Sequence, residues 1–504
     1  MALAPLALRT SAARAGATGS GPSFTPALIA EIEALIVQNM PVFDIIGTAI
    51  ALIQNGEVIY AKGFGVRDLQ TGAPYTVDSV HRIASTTKSM TSMLNAMLVD
   101  EGQYGWDTLV RTISTRYRFP TRELTDSTTV RQMLNMSTGL GESEIEPYID
   151  LQTPRVFFRT LATLPVLAPP QTEYFYNDYV YAGAGYLYLL QQGTALGNLP
   201  EAYAALMKQR LFEPMGMPTT AITSDPTTLS DNVSKSYGFD LRYDEQPNQV
   251  QPYLKAEMVS PSGATSTTLL DMARYLITQL NGGVTPDGTR IVSSEALAET
   301  WKGVMTVSTN PPAAYAMGWM QVVVDKIPYT WHNGSVDSFK TDMSMLPEGN
   351  LGILIFSNTE SGTTFHQAIR GHIIERLYNL EQTAVATAQA TYANAQAVVH
   401  ALKEAITGYQ VPEATIAPFL GRYEKGWTVQ YTDGVPMVTR TDGVQWVLLP
   451  TAGGYRVCST TYGNGFQDAV AFVTDTGGQV HMQITNPNEN NALVDQVARL
   501  SPDT

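Results

Sequence analysis

Residues 85–102 read STTKSMTSMLNAMLVDEG and carry the strongest fold signal in the chain. Apolar side chains recur along this stretch at helical spacing, at Met90, Met93, Leu94, Met97 and Leu98. Gly102 can end such a helix because it adopts backbone conformations that other residues disfavour. The pattern therefore predicts a core helix from Ser85 to Glu101, with Ser85 at its start.

Ser85 and Lys88 stand three residues apart, so on a helix both side chains project from one face within hydrogen-bond reach. A serine hydroxyl becomes a useful nucleophile beside a base, and a lysine serves as that base when burial or nearby cations lower its pKa. Lys88 is the only lysine of the sequence with a serine three positions earlier. The pair predicts a nucleophile with its base; the structural alternative is a helix-capping serine beside a solvated lysine.

The elements around this helix predict an α+β sheet closed by distant segments. An amphipathic helix is expected over Thr25–Gln38, and mostly helices and long loops between about Asp107 and Leu280. A hairpin is expected at Asn55-Gly56. The strand candidates, in chain order, are Gly47–Gln54, Val58–Gly65, Ala316–Val324, Lys340–Pro347 and Leu351–Asn358.

A second, all-β domain is predicted near the end of the chain. The Ala-rich segment Glu381–Ile406 has the composition of a connecting helix. Beyond Pro412, short alternating stretches are split by glycine-containing turns, which is typical of a meander that forms a small barrel or lipocalin-like unit. We therefore expect a disordered leader or tag-like segment at 1–24, a catalytic domain at 25–380, a helical connector at 381–411 and a β-barrel-like domain at 412–504.

Composition excludes several classes of partner. The 504 residues include 46 acidic and 31 basic side chains, and the resulting charge of −15 argues against nucleic acid. A single cysteine, Cys458, rules out an internal disulfide. No apolar run is long enough to predict a membrane span. The sequence does not determine the cellular compartment, and we favour an extracytoplasmic location. Assembly into a homo-oligomer is an open alternative.

Several motifs occur in an order that matches one enzyme superfamily. They are GTAIALIQNGEVIYAKGFGV (47–66), HRIASTTK (81–88), TVRQMLNMSTGL (129–140), YFYNDYVYAGAGY (174–186), SGATST (262–267), YAMGW (315–319), WHNGS (331–335) and LPEGNLGILIFSN (346–358). Together they resemble the serine β-lactamase and penicillin-binding protein superfamily, especially its class C-like branch with DD-peptidases, D-aminopeptidases and carboxylesterases. The resemblance implies a β-lactamase/transpeptidase-like domain, with an antiparallel sheet flanked by helices plus a helical region.

The resemblance also implies roles for the segment Tyr176-Asn177-Asp178, which matches the family's tyrosine, any residue, asparagine motif. Tyr176 would exchange protons with Ser85 and Lys88 when the leaving group departs. Asp178 departs from the usual asparagine. Because a carboxylate cannot donate the hydrogen bond that an amide donates to substrate, the substrate's acyl side chain is expected to differ from that of a typical β-lactam.

A third family motif, lysine or histidine, any residue, glycine, falls at His332-Asn333-Gly334. The resemblance implies that His332 polarises the site and binds a substrate carboxylate or carbonyl, with Asn333 beside it. Gly334 would let the substrate backbone approach closely. The backbone N–H groups of Ser85 and Ser335 would form the oxyanion hole. Met136 replaces a histidine that many relatives carry, which we interpret as a change in packing.

These residues predict a serine hydrolase that acts on ester or amide bonds of a small-molecule or peptide substrate through an acyl-enzyme, with no cofactor. Asp178 and the long 141–170 loop favour a peptidase or esterase over a dedicated β-lactamase. A β-lactamase or an acyltransferase with the same site, and a catalytically silent penicillin-recognising scaffold, remain as alternatives. The sequence has no G-x-S-x-G nucleophile elbow, which weakens an α/β-hydrolase interpretation.

Overall fold

The fold is given by a computed structural model that divides into two compact units. It describes residues 21–141, 153–239, 247–250, 257–407, 412–432, 434–439, 445–451, 454–459, 469–486 and 492–500. The larger unit holds the described residues of 21–235 and 257–388, and the smaller unit holds those of 236–253 and from 389 onward. Most of the predicted leader and residues 142–152 of the predicted loop lie outside the described residues.

Side-chain caps explain where many helices begin. Thr25 Oγ1 accepts from Leu28 N at 3.2 Å, and Asn177 Oδ1 accepts from Val180 N at 2.9 Å, so each satisfies a backbone donor that the helix leaves open. None of the helices among the described residues is long and apolar enough to cross a membrane. The helices that the structure describes are α1 Pro26–Asn39, α2 Thr87–Asp100, α3 Val110–Ile113, α4 Arg122–Ser127, α5 Val130–Leu134, α6 Pro154–Leu161, α7 Asp178–Gln191, α8 Leu199–Met207, α9 Ser260–Gly263, α10 Leu269–Leu280, α11 Ser294–Glu299, α12 Gly362–Leu377, α13 Ala384–Thr407 and α14 Glu413–Ile416.

The strands up to residue 357 come mainly from the two ends of the larger unit, as the sequence predicts, while those at 237–239 and 247–249 belong to the smaller unit. Asn55 and Gly56 both have positive φ and form the tight turn between the first two strands. Within the described residues, these strands are β1 Gly47–Gln54, β2 Glu57–Asp68, β3 Ala73–Pro74, β4 His81–Arg82, β5 Ala221–Ile222, β6 Tyr237–Phe239, β7 Pro247–Gln249, β8 Thr265–Thr267, β9 Met305–Thr309, β10 Pro312–Tyr315, β11 Met320–Val324, β12 Ile327–Val336, β13 Phe339–Leu346 and β14 Leu351–Ser357.

The main sheet has, for the part of the chain described, nine antiparallel strands in the order β3-β2-β1-β14-β13-β12-β11-β10-β9. Pairing of β1 with β14, from Thr48 opposite Ser357 to Gln54 opposite Leu351, joins its early and late segments. Helix α10 packs against β14 at Gly352, and α12 packs against it at Ser357. Successive residues of a strand face opposite sides of the sheet, and these two residues are an odd number of positions apart, so the two helices cover opposite faces. The expected α+β sheet is confirmed.

Some predicted elements differ from the structure. Residues Ala316–Trp319 form a turn, closed by Ala316 N donating to the Trp319 carbonyl at 2.8 Å, so β11 starts later than the pattern indicated. Ser85 lies in a short 3-10 turn, Ala84–Thr86, immediately before α2. The helix α6 occupies part of the segment expected to be loop, since Thr153 caps it and its Phe157 is fully buried.

Beyond α14 the smaller unit forms a meander of antiparallel strands, so the small all-β region at the end of the chain is confirmed. Neighbouring strands along the chain pair in order, β15 to β22, across the described residues. The Leu500 N–H donates to the Arg422 carbonyl at 2.7 Å, which links the first and last strand regions. Full closure into a barrel and the exact domain limits stay predictions. The strands are β15 Gly421–Arg422, β16 Thr428–Thr432, β17 Val435–Thr439, β18 Gln445–Thr451, β19 Gly454–Ser459, β20 Ala469–Thr474, β21 Val480–Asn486 and β22 Ala492–Ala498.

A buried ion pair between α12 and the main sheet gives a stability prediction. Arg370 pairs with Asp342, and both side chains are almost entirely buried. Arg370→Leu should lower the free energy of unfolding by about 3–5 kcal/mol, because it leaves a carboxylate buried without its cation. Urea denaturation measures this change.

Arg376→Leu is the matched control, since Arg376 is half exposed where it pairs with Glu31 and should cost less than about 1 kcal/mol. The double variant Arg370→Leu with Asp342→Leu should recover much of the loss. Equal effects from Arg370→Leu and Arg376→Leu would contradict this account.

Candidate active site

Ser85 lines a cavity in the larger unit. Its 3-10 turn follows β4, and Ala84 just before it has φ +47°, a left-handed conformation that costs a non-glycine residue roughly 1–2 kcal/mol. This strained turn points the half-buried serine toward a cavity of 310 Å³. The cavity is lined by Ser85, Tyr174, Tyr176, Tyr315, Met320, Trp331, His332, Asn333 and Ser335.

Lys88 is fully buried beneath Ser85. Its Nζ lies 3.1 Å from Ser85 Oγ and donates to the Ser262 carbonyl at 3.0 Å. It also forms an ion pair with Asp178. Burial lowers the pKa of Lys88 because desolvation penalises the ammonium, and the Asp178 carboxylate opposes that shift. A buried amine with a lowered pKa beside a serine hydroxyl has the properties of a general base.

Tyr176 and Asp178 reach Lys88 through the start of α7. Asn177 caps this helix and donates from Nδ2 to the Gly141 carbonyl at 2.6 Å, which fixes the residues on either side of it. The Tyr176 ring centroid lies 4.7 Å from Lys88 Nζ, within cation–π range. The structure therefore brings Ser85, Lys88, Tyr176 and Asp178 together, and the Asp178 carboxylate contacts Lys88.

His332 lies on β12, buried beside the cavity. Its Nδ1 is 2.6 Å from the Asn333 carbonyl, which can only accept, so Nδ1 carries the proton and Nε2 accepts from the Tyr315 hydroxyl at 3.3 Å. Desolvation, with a contribution from the Lys88 charge, lowers the pKa of His332 to about 3. The resemblance implies that His332 binds a substrate carboxylate or carbonyl. A neutral imidazole has no positive charge with which to attract a carboxylate.

Gly334 and Ser335 follow on the same strand and flank the serine turn. A Cβ on Gly334 would lie 2.1 Å from the Ile83 carbonyl oxygen, so glycine is needed for β12 to pack against the turn that carries Ser85. The sequence assigned this glycine to substrate approach, whereas the close contact here is with the protein's own backbone. Ser335 Oγ accepts from Lys340 Nζ at 2.7 Å, which anchors the residue whose N–H is expected in the oxyanion hole.

Charged groups near Ser335 and the serine turn occur as ion pairs. Lys340 Nζ lies 2.8 Å from Glu360, and Arg82 pairs with Asp337 in a fully buried contact. These pairs tie β4 to the turn between β12 and β13, and β13 to the segment that follows β14. Among the residues that the structure describes, no group of three or more His, Cys, Asp or Glu side chains is placed to hold a metal ion.

Several residues that build the site lie in the sequence motifs, but their individual roles do not follow from the sequence. Ser262 supplies its carbonyl to Lys88, and its Oγ donates to the Asp178 carbonyl at 2.7 Å. Gly318, with φ +74°, leaves room for the Tyr181 hydroxyl, which donates to the Lys88 carbonyl at 2.7 Å. Tyr315 holds His332. The motifs SGATST and YAMGW were the available signal, but spacing alone does not show which atoms converge.

Comparisons with known proteins agree with this arrangement. Residues 32–378 match the sequence model of the family described as Beta-lactamase. Unguisins hydrolase ungD from Aspergillus violaceofuscus is 25% identical over 373 residues, which cover 69% of this chain and 64% of that protein, less than two thirds of its length. Penicillin-binding protein 4 from Amycolatopsis lactamdurans is 24% identical over 323 residues, covering 63% of this chain and 82% of that protein.

Solved structures extend the likeness to the fold. The octameric penicillin-binding protein homologue from Pyrococcus abyssi superimposes with a TM-score of 0.60 at 18% identity, over 94% of this chain and 100% of that one. At this level of identity the likeness concerns the fold alone. The expected β-lactamase/transpeptidase-like fold is confirmed.

The close packing at Gly334 gives a test of the site's geometry. Gly334→Ala should lower kcat/KM on any turned-over ester by about 100-fold or more, because the added methyl group pushes β12 away from the serine turn and misplaces the oxyanion donors. Ester hydrolysis by the purified variant measures this loss.

Gly197→Ala is the matched control, because a Cβ there meets nothing within 4 Å. It should leave kcat/KM unchanged. Full activity of Gly334→Ala would show that this contact does not govern the site.

Proposed function

Because the chain belongs to the β-lactamase family, we propose that it is a serine hydrolase that cleaves ester or amide bonds through an acyl-enzyme on Ser85. The observation that carries this proposal is the 3.1 Å contact between Ser85 Oγ and the buried amine of Lys88. A hydroxyl that lines a cavity, beside a buried lysine of lowered pKa, is the pair that nucleophilic catalysis needs.

The proposed reaction has two steps. Ser85 Oγ forms a bond to the substrate carbonyl carbon while its proton passes to Lys88, and the N–H groups of Ser85 and Ser335 stabilise the oxyanion. The bond to the leaving alcohol or amine then breaks, and the leaving group takes a proton through Tyr176. Water next attacks the acyl-enzyme, giving up a proton to the site, and Ser85 regains its hydroxyl as the acid leaves.

The cavity favours substrates with an apolar group beside the bond that breaks. Tyr174, Tyr315 and Met320 present aromatic and thioether surface near the nucleophile. We favour a peptidase or esterase because Asp178 replaces the asparagine that would donate a hydrogen bond to the substrate in the resembled family. Rapid turnover of cephalosporins, with no turnover of p-nitrophenyl esters or D-alanine peptides, would instead favour a β-lactamase.

Labelling of the nucleophile tests the proposed function. A fluorophosphonate should modify the unaltered protein at Ser85, because Oγ forms the bond to phosphorus while fluoride leaves. Peptide mass spectrometry should locate the adduct on Ser85, and Ser85→Ala should abolish it.

Ser294→Ala, which removes an exposed serine on α11, is the control and should label normally. Absence of any adduct on the unaltered protein would overturn the proposal. That result would favour the catalytically silent scaffold.

A second prediction concerns the charge of the substrate. Because His332 is neutral and its Nε2 accepts from Tyr315, we expect a free carboxylate beside the scissile bond to give no advantage in kcat/KM over its uncharged amide. His332→Lys should raise the relative kcat/KM for the carboxylate substrate about tenfold or more, through a charge-assisted hydrogen bond.

His332→Gln, which stays neutral, is the control and should not change this ratio. A strong preference of the unaltered protein for the carboxylate substrate would show that His332 binds it despite its neutral state.

A further inference from the structure

The three groups that contact Lys88 Nζ together decide how its hydrogens are arranged. They are Ser85 Oγ at 3.1 Å, the Ser262 carbonyl at 3.0 Å and the Asp178 carboxylate. The Ser262 carbonyl and an ionised carboxylate can only accept hydrogen bonds, whereas the Ser85 hydroxyl can accept or donate. The position that the resembled family fills with asparagine thus holds an obligate acceptor here.

A neutral lysine amine has two N–H groups and one lone pair. When the Ser262 carbonyl and the Asp178 carboxylate each take one N–H, the lone pair is left facing Ser85 Oγ. That is the orientation required to remove the serine proton. An asparagine amide could instead donate its own N–H to the lone pair, so it would not fix this orientation.

The same carboxylate acts after the proton moves. The ammonium then has three N–H donors for the same three partners, and the negative charge of Asp178 stabilises the positive charge that has formed. We propose that Asp178 is the third member of a Ser85–Lys88–Asp178 relay, in which it orients the lone pair of Lys88 and stabilises the ammonium. It is a positioning residue, because it acts through Lys88.

The position of Asp178 fits this role. It is the first residue of α7, and its carbonyl accepts from Ser262 Oγ at 2.7 Å, so its backbone is fixed on both sides. Its side chain is 20% exposed and forms an ion pair with the fully buried amine of Lys88. A serine, a base and a group that orients the base is also the logic of serine–histidine–aspartate triads.

Other titratable groups also surround Lys88. The rings of Tyr176 and Tyr181 lie 4.7 and 5.8 Å from Nζ, and His332 on β12 interacts with the Lys88 charge. Tyr315 on β10 interacts with both Tyr176 and Asp178. Asp178, in contrast to these groups, raises the pKa of Lys88 through its carboxylate.

The sign of the pH effect follows. Asp178 favours the ammonium, so its removal lowers the pKa of Lys88 further and lets the free amine form at lower pH. When the rate of Ser85 acylation is plotted against pH, the acidic limb of Asp178→Asn should therefore lie at lower pH than that of the unaltered protein. The plateau rate should fall about 10- to 100-fold, because the lone pair is no longer oriented and the ammonium is less stabilised.

This inference rests on the proposed function, and the experiment separates the two. The rate of fluorophosphonate labelling of Ser85 is measured from low to high pH on the full chain, for the unaltered protein, Asp178→Asn, Asp178→Ser and Asp178→Glu. Asp178→Glu should keep the acidic limb close to its original position, since it keeps the carboxylate. Asp126→Asn, which removes a charge paired with Arg111 on the surface, is the control and should leave the profile unchanged.

Each outcome decides something. No labelling of the unaltered protein would overturn the proposed function itself. If the unaltered protein is labelled and Asp178→Asn has its acidic limb at the same pH, the relay is overturned. The proposed acyl-enzyme on Ser85 is not affected by that result. Asparagine is the usual residue of the resembled family at this position, so this variant should fold, and Asp178→Ser gives the same test if it does not. A limb that moves to higher pH would also overturn the relay.

Discussion

The buried amine of Lys88 is the constraint around which the site is organised. A lysine ammonium moved from water into a protein interior loses several kcal/mol of solvation unless its N–H groups find acceptors. Here the acceptors come from three separate parts of the chain: the turn at Ser85, the carbonyl of Ser262 and the side chain of Asp178. The need to satisfy one buried cation therefore holds three distant segments together at the site.

The main sheet supplies the other side of this arrangement. Pairing of β1 with β14 joins the early and late strands of the sheet, and Gly334 on β12, between His332 and Ser335, packs against Ile83 and Ala84 at the serine turn. Gly334 makes that proximity feasible, because any larger residue would collide with the Ile83 carbonyl. Lys340 then fixes the side chain of Ser335 from the neighbouring strand. The nucleophile and the strand beside it are thus held by backbone packing as well as by side-chain contacts.

Burial also determines the charges inside the cavity. The same desolvation that favours the free amine of Lys88 over its ammonium also favours the neutral form of His332, and the Lys88 charge adds to the effect on His332. Tyr315 completes the arrangement by donating to His332. The cavity therefore pairs the buried Lys88 with Asp178, while the walls around the nucleophile are mainly aromatic.

The sequence by itself determined the α+β class, the all-β end of the chain and the serine–lysine pair, because these depend on local signals. Helical periodicity, hairpin turns and a spacing of three residues are properties of neighbouring residues. Tertiary structure alone decided that Asp178 contacts Lys88, that His332 is neutral, and that Gly334 packs against the serine turn. It also decided that β11 starts after a turn at Ala316–Trp319. These features depend on which atoms meet and how much water is excluded, and the contacts of Asp178 with Lys88 and of Gly334 with Ile83 join segments that are far apart in the sequence.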